Sequence, residues 1–329
     1  MGDIRDEMAK LAKARNIPLK NDAAQKKKNE FNPKRKDTQH SGGKHNRGDK
    51  MPKRVLPLYK DFKNFPEFKP DDISPIKPKD TANTGLLFDK FCDHWSGEKN
   101  WKPETMVKQQ FLDGIVSQLK NNKETDKLLL QYHARRDALI SALKGESKVF
   151  KTSWRFVSGL GMGHVLETGF VWHRTLGVPY LPGSSVKGLI RAWADPKTDK
   201  KTGEHLGWGD PDMWNNAKRL FGDEKDTGAG SLIVFDALPV EKPKLEVDIM
   251  NPHYAPYYKD KTIPPADYHS PVPIFFLTVK EGVQFKFSLA PRPGGNAKDD
   301  VELGFELLKC ALENIGAGAK TAVGYGYFK

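Results

Sequence analysis

Two cysteines, Cys92 and Cys310, are all that the 329 residues contain. They stand far apart and in no C-x-x-C pattern, so a thiolate zinc site lacks its ligands; two buried free thiols are expected rather than a disulfide, in a reducing compartment. Long apolar runs are missing as well. No stretch approaches the roughly 20 residues that span a bilayer, and the amino terminus has no apolar core of a signal peptide, so a cytoplasmic protein with no membrane partner is expected. A nucleotide-binding P-loop is also absent. The one glycine-rich lysine segment places Ala319 where the pattern demands glycine before Lys320, and it reads as helix, turn, strand instead of strand, loop, helix. ATP or GTP hydrolysis is therefore not expected.

What is abundant is positive charge, 54 Lys+Arg against 42 Asp+Glu for a net of +12. Residues 1–54 hold sixteen of the cations and seven of the acids, a net of +9, so the remaining chain carries only +3. This front end has Phe31 as its sole aromatic and cannot bury enough apolar surface to order itself. It reads as a disordered basic arm, either a nucleic-acid or acidic-partner contact or a solvated tail, in which residues 3–15 can form a short helix on docking.

Residues 55–149 read as an extended segment followed by a helical extension. Tyr59, Phe62, Phe65 and Phe68 sit as aromatic anchors in proline-rich sequence, then helices are expected from Thr105 and over 124–144. Arg135 and Arg136 of the second either touch RNA or, more simply, lie on its solvated face. From 150 onward the texture changes to strands at 151–159, 231–238, 274–279 and 283–289, the last two joined by Lys280-Glu-Gly282. A glycine-rich loop follows the first of these, Gly159-Leu-Gly-Met-Gly163. With helices near 184–193 and 297–315, the order is strand, helix, several strands, helix, strand. That order suits an α+β, ferredoxin-like (RRM-like) sheet with both helices on one face.

Three segments carry candidate chemistry. Pro182-Gly-Ser-Ser-Val-Lys-Gly-Leu-Ile-Arg191 starts a helix that Ser184 or Ser185 can cap, with Val186, Leu189, Ile190 and Trp193 as its apolar stripe. Lys187 and Arg191 share the other side near the helix start, either a phosphate site or two cations on a wet face. The terminal Gly316-Ala-Gly-Ala-Lys-Thr-Ala-Val-Gly-Tyr-Gly-Tyr-Phe-Lys329 opens on Gly316 as a helix cap. If 321–328 is a strand, Gly324 and Gly326 strip one of its faces, inviting another backbone or a ligand beside Lys320. Asp248-Ile-Met-Asn-Pro-His-Tyr-Ala-Pro-Tyr-Tyr258 reads as a loop whose His253 and tyrosines either stack on unpaired bases or pack a subunit interface.

The pairing of the Pro182–Arg191 and Gly316–Phe328 segments resembles the RAMP superfamily of CRISPR-associated proteins. The intervening Leu220-Phe-Gly-Asp223 and Gly228-Ala-Gly-Ser-Leu-Ile-Val-Phe-Asp236, with the Asp248–Tyr258 element, are similar to the sixth-subunit family of the type III-B Cmr effector complex. The likeness covers about 150–329, the expected RAMP domain, and leaves the arm and helical extension outside it. It implies a non-catalytic subunit of an antiviral ribonucleoprotein that holds CRISPR RNA toward its 3′ end and caps the backbone filament. Its neighbours would be the backbone RAMP subunit and the first Cmr subunit, with target RNA met only indirectly and no cofactor or metal. The RNA-contacting set that follows is Ser184, Ser185, Lys187, Arg191, Gly316, Gly318, Lys320, Thr321, Gly324 and Gly326, with His164, Arg174, His253 and Tyr254.

Two other classes stay open at this point. A metal-independent endoribonuclease needs a base, an acid and a cation at the phosphorane, and His164, His173, His253 and Lys187 supply such a set on paper. Asp236 and Asp248 are candidate metal ligands or, more simply, turn formers. A protein-only assembly factor is the third reading.

Overall fold

The computed structural model describes residues 80–92, 105–197, 207, 209–222, 228–260, 262–266, 271–293 and 297–329. The basic arm and the anchors Tyr59, Phe62, Phe65 and Phe68 lie outside these residues. Helix α1 (Thr84–Lys90) is capped by Asn83, whose side chain accepts the Leu86 N–H at 3.0 Å and donates to the carbonyl of Arg174 at 2.9 Å. Helix α2 (Thr105–Asn121) buries Leu112, Ile115 and Leu119 at helical spacing. Asn122 then accepts the Thr125 N–H at 3.1 Å and starts α3 (Lys123–Ala142).

On α3 the buried positions are Thr125, Leu129, His133, Arg136 and Ile140, one stripe at spacings of four, four, three and four. Arg136 is thus not on the solvated face. Its guanidinium donates to the Asp236 carbonyl at 2.6 Å and lies 5.1 Å from the Phe235 ring, so it ties the helical extension to the later chain.

The main sheet is antiparallel and centred on β6 (Gln284–Pro291). On one side it pairs with β1 (Glu146–Lys151), Phe150 opposite Phe285; on the other it pairs with β2 (Leu232–Val234) and β3 (Leu238–Pro239). The chain terminus joins beyond β1 through a Thr152–Phe328 bridge and reciprocal Lys151–Lys329 backbone bonds of 2.8 and 2.9 Å. Helix α4 (Gly183–Ala194) packs on α7 (Ala297–Asn314), and α7 packs on β6. Phe156, Phe285, Phe287 and Phe328 meet edge-on in the core, with centroids 5.5–5.8 Å apart. Each is at most 1% exposed, and such a burial stabilises by about 1.5–3 kcal/mol.

Strands β4 (Leu245–Met250) and β5 (Ile274–Val279) form a separate two-stranded sheet. Residues 280–283 do join β5 to β6, yet those two strands do not pair. The slot between them is taken by residues 152–156. Thr152 bonds the backbone of Lys280, Gly282 and Val283, and Phe156 exchanges backbone bonds of 3.0 and 2.8 Å with Val279. The strand expected over 151–159 accordingly stops at Lys151 and continues as a wedge.

Short helices α5 (Pro211–Phe221) and α6 (Ala255–Lys259) complete the described elements, so part of the expected aromatic loop is helical and Asp248 sits within β4. Cys92 is buried and Cys310 only half-buried; neither is in a disulfide. Among the described residues no helix is long and apolar enough to cross a membrane.

Candidate nucleic-acid interface

Helix α7 ends where expected. The N–H groups of Ile315 and Gly316 both reach the Ala311 carbonyl at 3.1 Å, and Gly316 takes φ +70°. The strand expected over 321–328 does not form. Thr321–Val323 is a 3-10 turn between Lys320 at φ +61° and Gly324 at φ +98°, and Gly326 follows at +76°. These angles lie outside the β region, so Gly324 and Gly326 do not strip one face of a strand.

The close approach that the glycines were expected to permit is real, but the visitor is the protein itself. A Cβ on Gly326 would lie 1.9 Å from the Ala317 oxygen, and one on Gly318 would lie 2.2 Å from the Val157 oxygen. Backbone bonds run along the same lines: Ala317 N–H to Gly326 O (2.7 Å), Ala319 N–H to Val157 O (2.8 Å) and Gly326 N–H to Arg155 O (2.8 Å). Gly316, Gly318 and Gly326 therefore fold the turn onto the 155–157 wedge. Gly324 differs, because its nearest neighbour is the Trp154 indole at 3.4 Å.

Trp154 is 39% exposed and Val323 61%. The Arg155 guanidinium lies 5.2 Å from the indole, and the Tyr325 ring packs on it at 4.7 Å. Lys320 Nζ sits 5.4 and 5.7 Å from the Phe276 and Tyr325 rings, so it is held at the turn by aromatic faces. Beneath this surface the Tyr325 hydroxyl donates to Asp248, which also receives Arg155 at 3.0 Å. Arg155 bonds Glu246 as well, and Lys280 approaches Glu246 at 3.6 Å. Burial, reinforced by the Asp248 carboxylate, pushes the Tyr325 phenol up to about 12. Asp248 is thus neither a turn former nor part of a ligand cluster; it braces the turn from β4.

Helix α4 departs from expectation at its start. Pro182 occupies the cap position, Ser184 and Ser185 are exposed and make no capping bond, and the Gly183 N–H donates to the Asp236 carboxylate at 2.7 Å. The amino-terminal site that was to attract an anion already has one. Lys187 is one turn in and Arg191 lies in the last turn, where the helix dipole favours cations. Arg191 donates to the Gly222 carbonyl and lies 5.3 Å from the Trp214 ring. Lys187, Arg191 and Arg292 line one cavity of about 250 Å³, which none of residues 316–326 lines. The two basic elements do not share that cavity.

Among the described histidines, His133, His164 and His173 are committed to interior contacts. His164 stacks on Phe88 at 4.2 Å, reaches the Phe88 carbonyl through Nε2 (3.0 Å) and accepts the Leu166 N–H on Nδ1 (3.2 Å), an assignment that makes it the neutral Nε2–H tautomer. Its expected RNA contact therefore has no free ring nitrogen. His173 Nδ1 faces the Leu176 N–H and the Thr175 hydroxyl, between Tyr132 and Tyr180. Burial depresses the pKa of His164, His173 and His133 alike. His253 and Arg174 are exposed and Tyr254 half-buried. Among the described residues, no three His, Cys, Asp or Glu side chains gather as metal ligands. Trp154, Arg155 and Arg292 were missed in the sequence; only the Trp-Arg pair at a strand end hinted at them.

A sequence model of the RAMP superfamily matches residues 145–329. The CRISPR system Cmr subunit Cmr6 of Pyrococcus furiosus is 34% identical over a 261-position alignment covering 64% of this chain and 76% of that protein. Its counterpart in Saccharolobus solfataricus is 24% identical over 278 positions, covering 82% and 86%. Among solved structures, a chain of the type III-B Cmr-beta complex bound to cognate target RNA matches with a TM-score of 0.50 at 21% identity, covering 71% of this chain and 76% of that one, a likeness of fold. The chain thus belongs to the RAMP superfamily, as a Cmr6-like member.

Proposed function

We propose that the chain is a non-catalytic, RNA-binding subunit of a type III-B CRISPR (Cmr) effector complex, which holds CRISPR RNA toward its 3′ end and caps the backbone filament in antiviral defence. One observation carries the RNA reading: an exposed indole, Trp154, beside the side-chain-free Gly324, with Lys320 held over the Tyr325 ring that packs on that indole. A base stacks on the indole and Lys320 neutralises a phosphate beside it, the combination that single-strand binders use. Guide pairing reads sequence in such complexes, so contacts of this kind, which ignore base identity, are what the role requires.

The fold reading is ferredoxin-like. The order Phe328, β1, β6, β2 across the sheet, with α4 between β1 and β2 and α7 between β6 and the terminus, supports it. Its fourth strand is reduced to the Thr152–Phe328 bridge. The arm at 1–54 adds phosphate contacts, and the backbone RAMP subunit and first Cmr subunit are the neighbours.

Reconstitution of the complex with CRISPR RNA tests this. Ultraviolet crosslinks should map to Trp154 and the turn, and Trp154→Ala should weaken RNA retention about thirtyfold, the middle of the roughly 1–3 kcal/mol that stacking supplies. Pull-down of partners that survives ribonuclease without any RNA crosslink would favour a protein-only assembly factor. Repeat RNA cut in EDTA, with cutting lost in His173→Ala, would make the chain an endoribonuclease.

A further inference from the structure

The Arg155 guanidinium stands beside the exposed Trp154 indole, yet its charge is directed inward. Its Nε donates to Glu246 and a terminal nitrogen lies 3.0 Å from Asp248, both carboxylates on β4, while Lys280 approaches Glu246 at 3.6 Å. Two cations thus face two carboxylates. A phosphate arriving at Arg155 would meet those carboxylates as well as the cation, so the balanced set offers it little attraction. Lys320 takes no part in this exchange, lying instead over the Phe276 and Tyr325 rings. What Arg155 does reach is the indole, whose ring centroid is 5.2 Å from the guanidinium carbon. The Asp248 oxygen that receives Arg155, Oδ2, also accepts the Tyr325 hydroxyl, and the Tyr325 ring leans on the indole at 4.7 Å and 56°. One carboxylate oxygen therefore fixes two neighbours of Trp154.

We infer that Arg155 is the positioning residue of this surface: anchored on Glu246 and Asp248, it holds the Trp154 indole in the orientation a base meets. The inference rests on the RNA reading for what stacks there, while the anchoring of the ring is a property of the chain alone. An exposed tryptophan without such support samples several rotamers and must be ordered when its ligand binds, at a cost that an already fixed ring avoids. Arginine suits the task because its planar fork bridges two carboxylates and still presents a face to the indole. Lysine at 155 could pair with either carboxylate but has no such plane. Backbone serves the same end, since the Gly326 N–H bonds the Arg155 carbonyl at 2.8 Å and closes the terminal turn on residues 154–155.

The test uses the full chain labelled with 5-fluorotryptophan and read by fluorine NMR, the Trp154 signal being the one lost in Trp154→Phe. Without RNA, that signal should narrow about twofold in Arg155→Ala as the ring gains fast motion. Asp248→Asn, which alters neither the indole nor the residue beside it, should narrow the signal too, and Arg155→Lys should not restore the parent width. A width unchanged in these variants, or restored by lysine, overturns the proposal; should Arg155→Ala fail to fold, the lysine and Asp248→Asn chains decide it. Binding of a single-stranded oligoribonucleotide across a salt series then separates positioning from charge. Arg155→Ala should weaken binding about threefold to tenfold at an unchanged salt slope, whereas Lys320→Ala should flatten the slope by about 0.7. A slope flattened by that amount in Arg155→Ala makes Arg155 a phosphate contact and also overturns the proposal. Parent affinity in Trp154→Ala, or no affinity in the parent chain, removes the RNA reading, while the line widths still decide whether Arg155 holds the ring.

Discussion

Replacing Gly326 by alanine separates a glycine kept bare for the protein's own backbone from one kept bare for a ligand. The new Cβ would stand 1.9 Å from the Ala317 oxygen, a separation real side chains do not show, so the backbone must move by more than an ångström. That movement breaks the 2.7 Å bond from Ala317 N–H to Gly326 O and the 2.8 Å bond from Gly326 N–H to Arg155 O. Each is worth about 0.5–1.5 kcal/mol net. The φ of +76° adds about 1–2 kcal/mol for any residue with a Cβ. Gly326→Ala should therefore cost about 2–5 kcal/mol, read as a lowered urea midpoint at unchanged slope.

Gly324→Ala is the paired control. Its φ of +98° carries a similar backbone cost, but its Cβ meets only the Trp154 ring, at 3.4 and 3.5 Å, so the loss should stay near 1–2 kcal/mol. It should nonetheless impair RNA crosslinking at Trp154, because the methyl group sits against the indole. Equal midpoints for the two variants would refute the assignment of Gly326 to internal packing. A normal crosslink in Gly324→Ala would remove Gly324 from the RNA surface.

Tyr325→Phe should remove an alkaline liability. The folded phenol titrates at about 12 against an ordinary value of 10, so the folded state holds its proton more tightly; that stability is complete below pH 10 and fades as pH rises to about 12. The difference in stability between parent and variant should shrink across that window. The opposite sign applies to His133, His164 and His173, whose depressed pKa values make stability complete above about 6.5 and lost as pH falls through their folded values. Chemical denaturation between pH 7 and 5 should show the fall, and His164→Phe, which keeps the ring stack on Phe88, should lessen it. Asp236→Ala should cost about 0.5–2 kcal/mol through loss of the α4 cap, measured by the same denaturation.

Elements whose signal is local were legible in the chain. The α7 stripe and its Gly316 cap, the α3 stripe begun at Asn122, and the β5 and β6 segments all follow from periodicity and punctuation. The glycine segment misled because Gly324-Tyr-Gly-Tyr327 alternates with period two, the very sign of a strand, while the positive φ angles that make the glycines necessary have no sequence signature of their own. Likewise β5 and β6 flank a four-residue connection as a hairpin would. Nothing local announces that residues 152–156, more than 120 positions earlier, enter the slot between them.

The misplacement of Lys187 and Arg191 has the same physical origin and a sharper consequence. A helix beginning at a Ser-Ser pair invites the inference that its first N–H groups await a phosphate, but the nearest acceptor, Asp236, lies 53 residues on and reaches Gly183 only through the turn that follows β2. With that end neutralised by a carboxylate, a phosphate there would meet like charge. The other end of the helix carries the dipole's negative pole, which favours Arg191 there, while Lys187 stands one turn from the start. What the helix can offer an anion is therefore its side chains and not its first N–H groups. Asp236→Ala should accordingly destabilise the fold through the lost bond to the Gly183 N–H, read as a lowered urea midpoint.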